Sequence, residues 1–393
     1  MDSGHKPTLP PFALNPPPRA GNLRVMNFLS ALLAILFLVL CDLPARSASI
    51  NGQYYVPLAD WAPANGLQTF WLKRGDIVEA ANRTTKLIFK VDSHDAEING
   101  VHVALSFPVA NDHGNALIAQ FDLDNTVRPL LFPSRYLEPK KITTICLDPG
   151  HGGKDSGNRV GGFFWHNEKT YTLLLAQELH DQLRRAGFKV ILTRTRDAYV
   201  DLPERPALAN RFGTDLFVSL HFNATQTGKN EVAGPETYCI TPVGAASSNA
   251  QGEGADHDAT TANRVEKKSL LFAYQIQKAL VQNLGVNDRS VRRARFAVLR
   301  DAAMPAILIE GGYMTSPAEN KRIYDAAWRR QMAAAIVKGV LNYQKLTAPT
   351  LPPAPPATNH PPLKPSPSRT SAHPPGRTLG SAGVSPARNT MTN

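Results

Sequence analysis

Cysteine is scarce in this chain. Of three in 393 residues, Cys41 ends an apolar leader segment, which leaves Cys146 and Cys239. Both sit in apolar strand-like runs, where a reduced thiol behaves as a small hydrophobe. That number excludes a disulfide framework, although one Cys146–Cys239 bond stays open, and without a CxxC spacing a thiolate metal site has no signal. Long apolar runs are also lacking. Phe28 to Cys41 (FLSALLAILFLVLC) falls short of the roughly 20 residues that cross a bilayer. Acid is missing from the tail, where Lys364, Arg369, Arg377 and Arg388 face no Asp or Glu. Leader and tail together hold more than half of the formal charge of +11, so the middle of the chain is only mildly basic. Its one basic cluster, Arg289, Arg292, Arg293 and Arg295, has only Phe296 as an aromatic neighbour. Nucleic acid is therefore not an expected partner. No internal repeat of fixed period is present.

The leader has a consistent character. Arg19 and Arg24 precede the apolar run, and the small residues around Ala45 to Ser49 follow it. A basic segment, a short apolar segment and small residues describe a secretory signal, with Met26 as an alternative start. An uncleaved membrane anchor is the competing reading, and it is the only route by which the chain would meet a membrane. Leu40 before Cys41 fits a lipoprotein cleavage site poorly. The expected location is outside the cytoplasm, in the periplasm or cell envelope, or beyond it.

Four zones follow from composition and periodicity: the leader over 1–49, a small α+β module over 50–139, a larger domain over 140–346, and a tail over 347–393. The tail is rich in Pro and Ser and cannot bury enough surface to fold. The module shows strands at Tyr54–Val56, Thr69–Leu72, Lys86–Val91 and Val101–Phe107, Asn-Gly turns at 51–52 and 99–100, and helical stretches at Pro57–Ala64 and Asp122–Phe132. In the larger domain strands and helices alternate. Strands are expected at Ile142–Leu147, Lys189–Leu192, Leu216–Leu220, Thr237–Ile240 and Ala306–Ile309. Helices are expected at Asn167–Ala186, Pro206–Phe212, Leu270–Leu284 and within Ala318–Tyr343. Asn167 is suited to cap the first of these helices and Gly187 to end it. The alternation predicts an α/β fold, an open and mostly parallel sheet with helices on both faces.

In such a sheet, sites lie beyond the carboxyl ends of the strands. His151 follows the first strand among three glycines, Glu168 opens the first helix, His221 follows Leu216–Leu220, and Glu310 follows Ala306–Ile309. Taken singly, each has an ordinary explanation: a hydrogen-bonded histidine, a helix-dipole partner, a carboxylate paired with an arginine. As a set, two imidazoles and a carboxylate with a fourth position open have the composition of a hydrolytic zinc site, and Glu310 is a spare acid at the same edge. The glycines around His151 would clear space for its ring and for a substrate.

The ordered blocks L-D-P-G-H-G-G-K-D-S-G, N-E-K, G-F-K-V-I-L-T-R-T-R-D with L-P-E-R and A-N-R, D-L-F-V-S-L-H-F-N-A, G-P-E-T-Y and F-A-V-L-R-D-A-A-M-P-A-I-L-I-E-G-G-Y resemble the zinc-dependent N-acetylmuramoyl-L-alanine amidases. The resemblance runs from about Thr144 to Tyr343. It implies one zinc ion bound by His151, Glu168 and His221, with Glu310 as catalytic acid/base, cutting the amide between the lactyl group of N-acetylmuramic acid and L-alanine. Peptidoglycan is the implied partner, with the need for an activator protein left open. A catalytically inactive wall-binding protein and a zinc peptidase acting on stem peptides are the alternatives. The earlier segment Y-Y-V-P-L-A-D-W-A, with E-I-N-G-V-H-V, resembles the copper-amine-oxidase N-terminal-domain-like module of exported bacterial proteins. That likeness implies a positioning or wall-contact role and no copper.

Weaker candidates surround these residues. Asn223 suits substrate binding or loop orientation. Arg295 and Arg300 suit an anionic stem peptide, against the plainer reading of solvated or salt-bridged arginines. His166 matches no family position, Glu236 reads as structural, and Asp148 reads as fixing the loop and orienting a histidine from behind. Thr241 to Lys268 is a long polar connection, either a lid or a plain insertion.

Overall fold

The computed structural model describes residues 48–161, 165–226, 231–249 and 252–348; the leader up to Ser47 and the tail from Pro349 lie outside them. Among the described residues no helix is long and apolar enough to cross a membrane. The N-terminal module opens with β1 (Ala48–Ile50), β2 (Gln53–Pro57) and α1 (Leu58–Ala64). A meander follows: β3 (Gln68–Lys73), β4 (Ile77–Ala81), β5 (Lys86–Lys90), β6 (Asp95–Ile98) and β7 (Val101–Ala104). The hairpin β8 (Ala110–Asp112) and β9 (Asn115–Ala119) completes it, pairing as β1-β2-β9-β8. Both Asn-Gly turns form as the sequence predicts, with φ of 48° and 78° at Asn51-Gly52 and at Asn99-Gly100, the mirror-image geometry that hairpins favour.

Five of these nine strands have no counterpart among the expected ones. They are short and interrupted by polar residues on the outer face, as in Asp95–Ile98, so alternation over so few positions gives little signal. The strand expected over Val101–Phe107 ends at Ala104 for a local reason. The backbone N–H groups of Ser106 and Phe107 donate to the buried carboxylate of Asp122, at 2.7 and 2.9 Å, and leave the ladder. The helix expected at Asp122–Phe132 is a composite: a turn at Gln120–Asp122, a π-helical Leu123–Val127 and a turn at Arg128–Leu131.

The larger domain begins with β10 (Thr144–Pro149), followed by the small ribbon of β11 (Arg159–Gly161) and β12 (Trp165–Asn167). Then come α2 (Glu168–Arg185), β13 (Lys189–Leu192), α3 (Glu204–Arg211), β14 (Leu216–Asn223), β15 (Glu236–Cys239) and α4 (Glu266–Leu284). The remainder is β16 (Val291–Arg293), α5 (Ala297–Arg300), β17 (Ala306–Tyr313), α6 (Pro317–Tyr324) and α7 (Ala326–Thr347). β13, β10, β14 and β17 pair in parallel, and β15 joins β17 antiparallel. The sheet is thus mixed, with a parallel centre. Alternate residues feed opposite faces: Ile145, Leu147, Val218, Ile307 and Ile309 pack with α2, α4 and α7, while Cys146, Phe217, Ala306 and Leu308 pack with Ala209 of α3 and Val298 and Leu299 of α5. Helices therefore cover both faces, as the near-continuous apolar strands require.

Two local expectations are corrected. The Asn167 side chain makes no capping hydrogen bond and its Oδ1 is buried without a partner; instead the Glu168 N–H donates to the Asn158 carbonyl at 2.9 Å. β17 does not stop at Ile309 but continues through Gly311 and Gly312 to Tyr313. Cys146 and Cys239 are both free.

The module and the larger domain share one sheet. β16 pairs in parallel with β7, Val291 opposite Val103, giving eleven strands in the order β13-β10-β14-β17-β15-β16-β7-β6-β5-β4-β3. Three polar contacts reinforce the seam: the Tyr274 hydroxyl to the Ile98 carbonyl at 2.8 Å, the His102 N–H to Asp288 at 2.8 Å, and the Arg293 guanidinium to the Asn125 carbonyl at 2.9 Å.

Candidate active site

The site assembles at the carboxyl edge of the parallel strands. β10 ends at Pro149, and the carbonyls of Pro149, Gly150 and His151 are collected by two buried arginines. Arg194 donates to the carbonyls of Pro149 and Gly150 at 2.9 and 2.8 Å. Arg205 donates to Pro149 and to the His151 carbonyl, both at 3.1 Å, and pairs with Asp148 at 2.9 Å. These bonds hold His151 in the left-handed region, φ 63°, a conformation that persists only when its surroundings fix it. Glycine is required beside it by contact. A Cβ at Gly150 would come within 2.3 Å of the His221 ring, and one at Gly157 within 2.6 Å of the His151 ring.

His151, Glu168 and His221 converge here, with one donor atom from each lying within 4.8 Å of the others. His151 Nε2 is 3.1 Å from Glu168 Oε2, and His221 Nδ1 is 3.0 Å from Glu168 Oε1. The edge of a tetrahedron with 2.0–2.2 Å bonds is about 3.4 Å, so a small cation fits among these atoms after slight adjustment. Burial pushes the Glu168 carboxyl up, but hydrogen bonds from both imidazoles outweigh it and hold it well below the usual carboxylate range. It stays ionised, the form a metal ligand needs. Burial pulls His151 down, and its contacts with Glu168 and Asp155 more than reverse that. Asp155 accepts from His151 Nδ1 at 2.8 Å, which leaves Nε2 directed at the cluster. Carboxylate support of this kind orients a ligand histidine and fixes its tautomer.

Glu310 lies on β17, in register with His221 on β14 and with Glu236 on β15. Its Oε2 is buried with no hydrogen-bond partner. Burial, followed by the charges of Glu168 and Glu236, raises its carboxyl well above the usual range. Glu236 is the centre of a separate network. It accepts from Arg289 at 2.9 Å, from the Tyr238 hydroxyl at 2.7 Å and from the Tyr313 hydroxyl at 2.9 Å. The structural reading of Glu236 thereby gains a concrete form.

The weaker candidates are placed as follows. Asn223 lies at the end of β14, where its Oδ1 accepts from the Ala224 N–H at 2.8 Å, and it borders a cavity with Glu236 and Arg289. Arg295 is engaged by the polar connection after β15, donating to the carbonyls of Ala245 and Gly254. Arg300 is exposed at the end of α5. His166 stacks on Tyr324 at 3.9 Å between ring centroids, away from the cluster as expected. Asp148 fixes the loop through Arg205, Thr193 and Ser219, but the carboxylate behind His151 is Asp155, a correction. Asp155, Arg194 and Arg205 sit inside the sequence blocks quoted above, yet nothing in spacing marks them as supports. Within the described part of 241–260 no helix forms. That segment is fastened by Arg295 and by Arg292, which donates to the Ser248 carbonyl at 2.8 Å. A cavity of about 370 Å³ at the opposite end of the strands, bordered by Ile142, Asp215 and Pro305, is remote from this chemistry.

Comparison with known proteins agrees with the geometry. The profile of the N-acetylmuramoyl-L-alanine amidase family matches residues 145–342, beginning after the N-terminal module. The chain is 30% identical over 223 residues to N-acetylmuramoyl-L-alanine amidase AmiA of Escherichia coli K12, covering 51% of this chain and 75% of that protein. Identity to N-acetylmuramoyl-L-alanine amidase LytC of Bacillus subtilis 168 is 32% over 202 residues, covering 51% of this chain but 36% of that protein. A solved amidase structure from Clostridium difficile 630 superposes with a TM-score of 0.44 at 33% identity, covering 52% of this chain and 98% of that one.

Proposed function

The chain belongs to the N-acetylmuramoyl-L-alanine amidase family, and from that premise we propose that it is an exported zinc hydrolase of peptidoglycan. The bond cut is the amide between the lactyl group of N-acetylmuramic acid and L-alanine. One observation carries the reading: donors from the loop after β10, from α2 and from β14 meet within 4.8 Å beside a buried carboxyl on β17 whose Oε2 has no hydrogen-bond partner. His151, Glu168 and His221 would hold the ion, two neutral nitrogens and one carboxylate, a donor set that suits zinc and leaves a fourth position for chemistry. When bound, zinc supplies Lewis acidity, lowering the pKa of water at the open position from about 15.7 toward 7.

The protein's own groups do the rest. Glu310 takes a proton from the attacking water through its carboxylate and returns it to the L-alanine nitrogen as the carbon–nitrogen bond breaks. The lactyl carbonyl leaves as a carboxylic acid and the peptide as an amine. A carboxyl held well above the usual range by burial and then by two neighbouring carboxylates is suited to carrying a proton in the reaction. Asp155 keeps Nδ1 of His151 engaged, and Arg194 and Arg205 keep the loop in place. The basic, apolar and small segments of the leader support export.

Digestion of purified sacculi by the mature protein, with and without a chelator, followed by mass analysis, tests the reading. Free lactyl carboxyls and intact stem peptides are expected, and only without chelator. Products with the lactyl group still amide-linked but shortened peptides would make the protein a peptidase. No release under any condition would make it a binding protein.

A further inference from the structure

The ribbon of β11 and β12 is rooted on a candidate metal ligand. The Asn158 N–H donates to Glu168 Oε2 at 2.9 Å, and the Glu168 N–H donates back to the Asn158 carbonyl at 2.9 Å. The Asn158 side chain also reaches the Phe222 carbonyl, at 2.9 Å. Within the ribbon Arg159 pairs with Asn167, Val160 with His166 and Gly161 with Trp165, so successive side chains alternate between two faces. One face is inward: Val160 packs on the core and His166 stacks on Tyr324. The other carries Trp165 and Arg159, whose guanidinium lies over the indole at 4.6 Å from its centroid. Trp165 is 54% exposed, a large ring that the fold leaves in water just ahead of Glu168. A second exposed aromatic stands at the His151 loop. Tyr199 is 41% exposed, and the Lys154 ammonium lies over its ring at 4.4 Å. A Cβ at Gly153, two residues past His151, would come within 2.7 Å of the Tyr199 backbone nitrogen. Each ring stands among hydrogen-bonding charges: Arg159 by Trp165, and Lys154 and Asp201 by Tyr199.

We propose that Trp165 and Tyr199 are the rings on which this chain stacks a saccharide beside the metal ligands, with Arg159 as a hydrogen-bond donor to it. A sugar ring has C–H faces and a hydroxylated rim. Its C–H face meets the electron-rich face of an indole or phenol, and its hydroxyl and acetamide oxygens meet the Arg159 guanidinium, which carries five donors and no acceptor. Insertion of the same rings into a membrane would strip water from the charges around them, at a cost. Reach agrees with this occupant. Trp165 precedes Glu168 along an extended segment, about 10 Å at roughly 3.3 Å per residue. The lactyl group is a substituent of a sugar ring, so an amide held at the ligands brings that ring, or its neighbour in the glycan, to the ribbon. The proposal rests on the amidase reading for the identity of the saccharide.

The test uses the full chain and a peptide-free tetrasaccharide of alternating N-acetylglucosamine and N-acetylmuramic acid, which holds no bond for an amidase to cut. Calorimetric titration compares wild type with Trp165→Ala, Trp165→Phe and Tyr199→Ala. Each alanine variant is expected to bind about tenfold more weakly, the loss of one stacked ring. Trp165→Phe keeps a flat face and is expected to stay within about threefold of wild type. Hydrolysis gives a second readout, on a disaccharide muropeptide and on a D-lactyl-L-alanyl peptide that presents the same amide without a sugar ring. In Trp165→Ala the loss in kcat/KM on the muropeptide exceeds that on the lactyl peptide by about tenfold, and it falls on KM, the pattern of lost ground-state binding. Equal losses on the two substrates would make the ring a contact for the peptide or for the fold, and would overturn the proposal. So would tetrasaccharide affinity unchanged in either alanine variant, or no tetrasaccharide binding by wild type. Weaker tetrasaccharide binding by the variants of a protein that cuts no lactyl amide upholds the stacking rings and removes only the amidase reading.

Discussion

Two carboxylates at the site have separable duties, and their substitutions distinguish them. Glu310 makes no hydrogen bond through Oε2 and sits in register with His221, so on the proposed reading its replacement removes the proton carrier without breaking a hydrogen bond at that oxygen. Glu310→Gln is expected to keep its full complement of zinc by metal analysis while kcat falls by about 10²–10⁴. Retention of the wild-type rate would end its assignment as acid/base. Asp155 supports the His151 ring at 2.8 Å from Nδ1 and also accepts from the Gly157 N–H at 3.0 Å. Asp155→Ala is expected to lower zinc affinity by about 10–100-fold, measured by competition with a chromophoric chelator, and saturating zinc restores most of the rate. The candidate ligands His151, Glu168 and His221 and the candidate acid/base Glu310 were legible because they carry chemistry at strand ends in an ordered set of blocks. Asp155, Arg194 and Arg205 were not, since a support is defined by what it reaches, and Arg205 reaches the His151 carbonyl from 54 positions away.

The elements show why the site depends on tertiary structure. The loop after β10, α2 and β14 each supply one donor, and β17 supplies the fourth group. A bound ion therefore ties three elements that are far apart in sequence, whereas the unfolded chain offers no such grouping. Zinc at 100 times its dissociation constant would add about 2.7 kcal/mol to stability. Stripping it with a chelator should lower the melting temperature by several degrees, and by less in Asp155→Ala at equal zinc concentration. A melting temperature indifferent to both chelator and added zinc would separate the three residues from any metal role. At this scale the parallel centre of the sheet was readable from apolar runs alternating with helical periods. The antiparallel seat of β15 was not, because its four residues, Glu236–Cys239, are buried whichever way the strand runs. Nor was the composite turn at 120–131, where a π-helical segment breaks the regular period.

For the molecule as a whole, the main departure is that the module and the larger domain share a sheet through β7 and β16. Composition placed a boundary near residue 139 because a polar, strand-poor connection lies there, and a single strand-to-strand register carries no local signal. The seam brings Asp122 of the module close enough to feel the charge of Arg293, whose guanidinium donates to the Asn125 carbonyl. Burial pushes the Asp122 carboxyl up to about 6, against the pull of the Ser106 and Phe107 N–H groups and of Arg293. Its value in the unfolded chain is about 3.9. The folded state therefore binds this proton more tightly, and the stability it contributes is complete below about pH 4 and lost as pH rises through about 6. Asp122→Asn cannot titrate, while the metal ligands titrate alike in both proteins and cancel in a comparison. The unfolding free energy of wild type minus that of Asp122→Asn, from urea titrations, is thus expected to fall by about 2 kcal/mol between pH 4.5 and 7. A difference that stays level, or rises with pH, would mean that Arg293 and the two backbone donors keep Asp122 ionised, making the seam an ion pair across the shared sheet instead of a buried acid beside it.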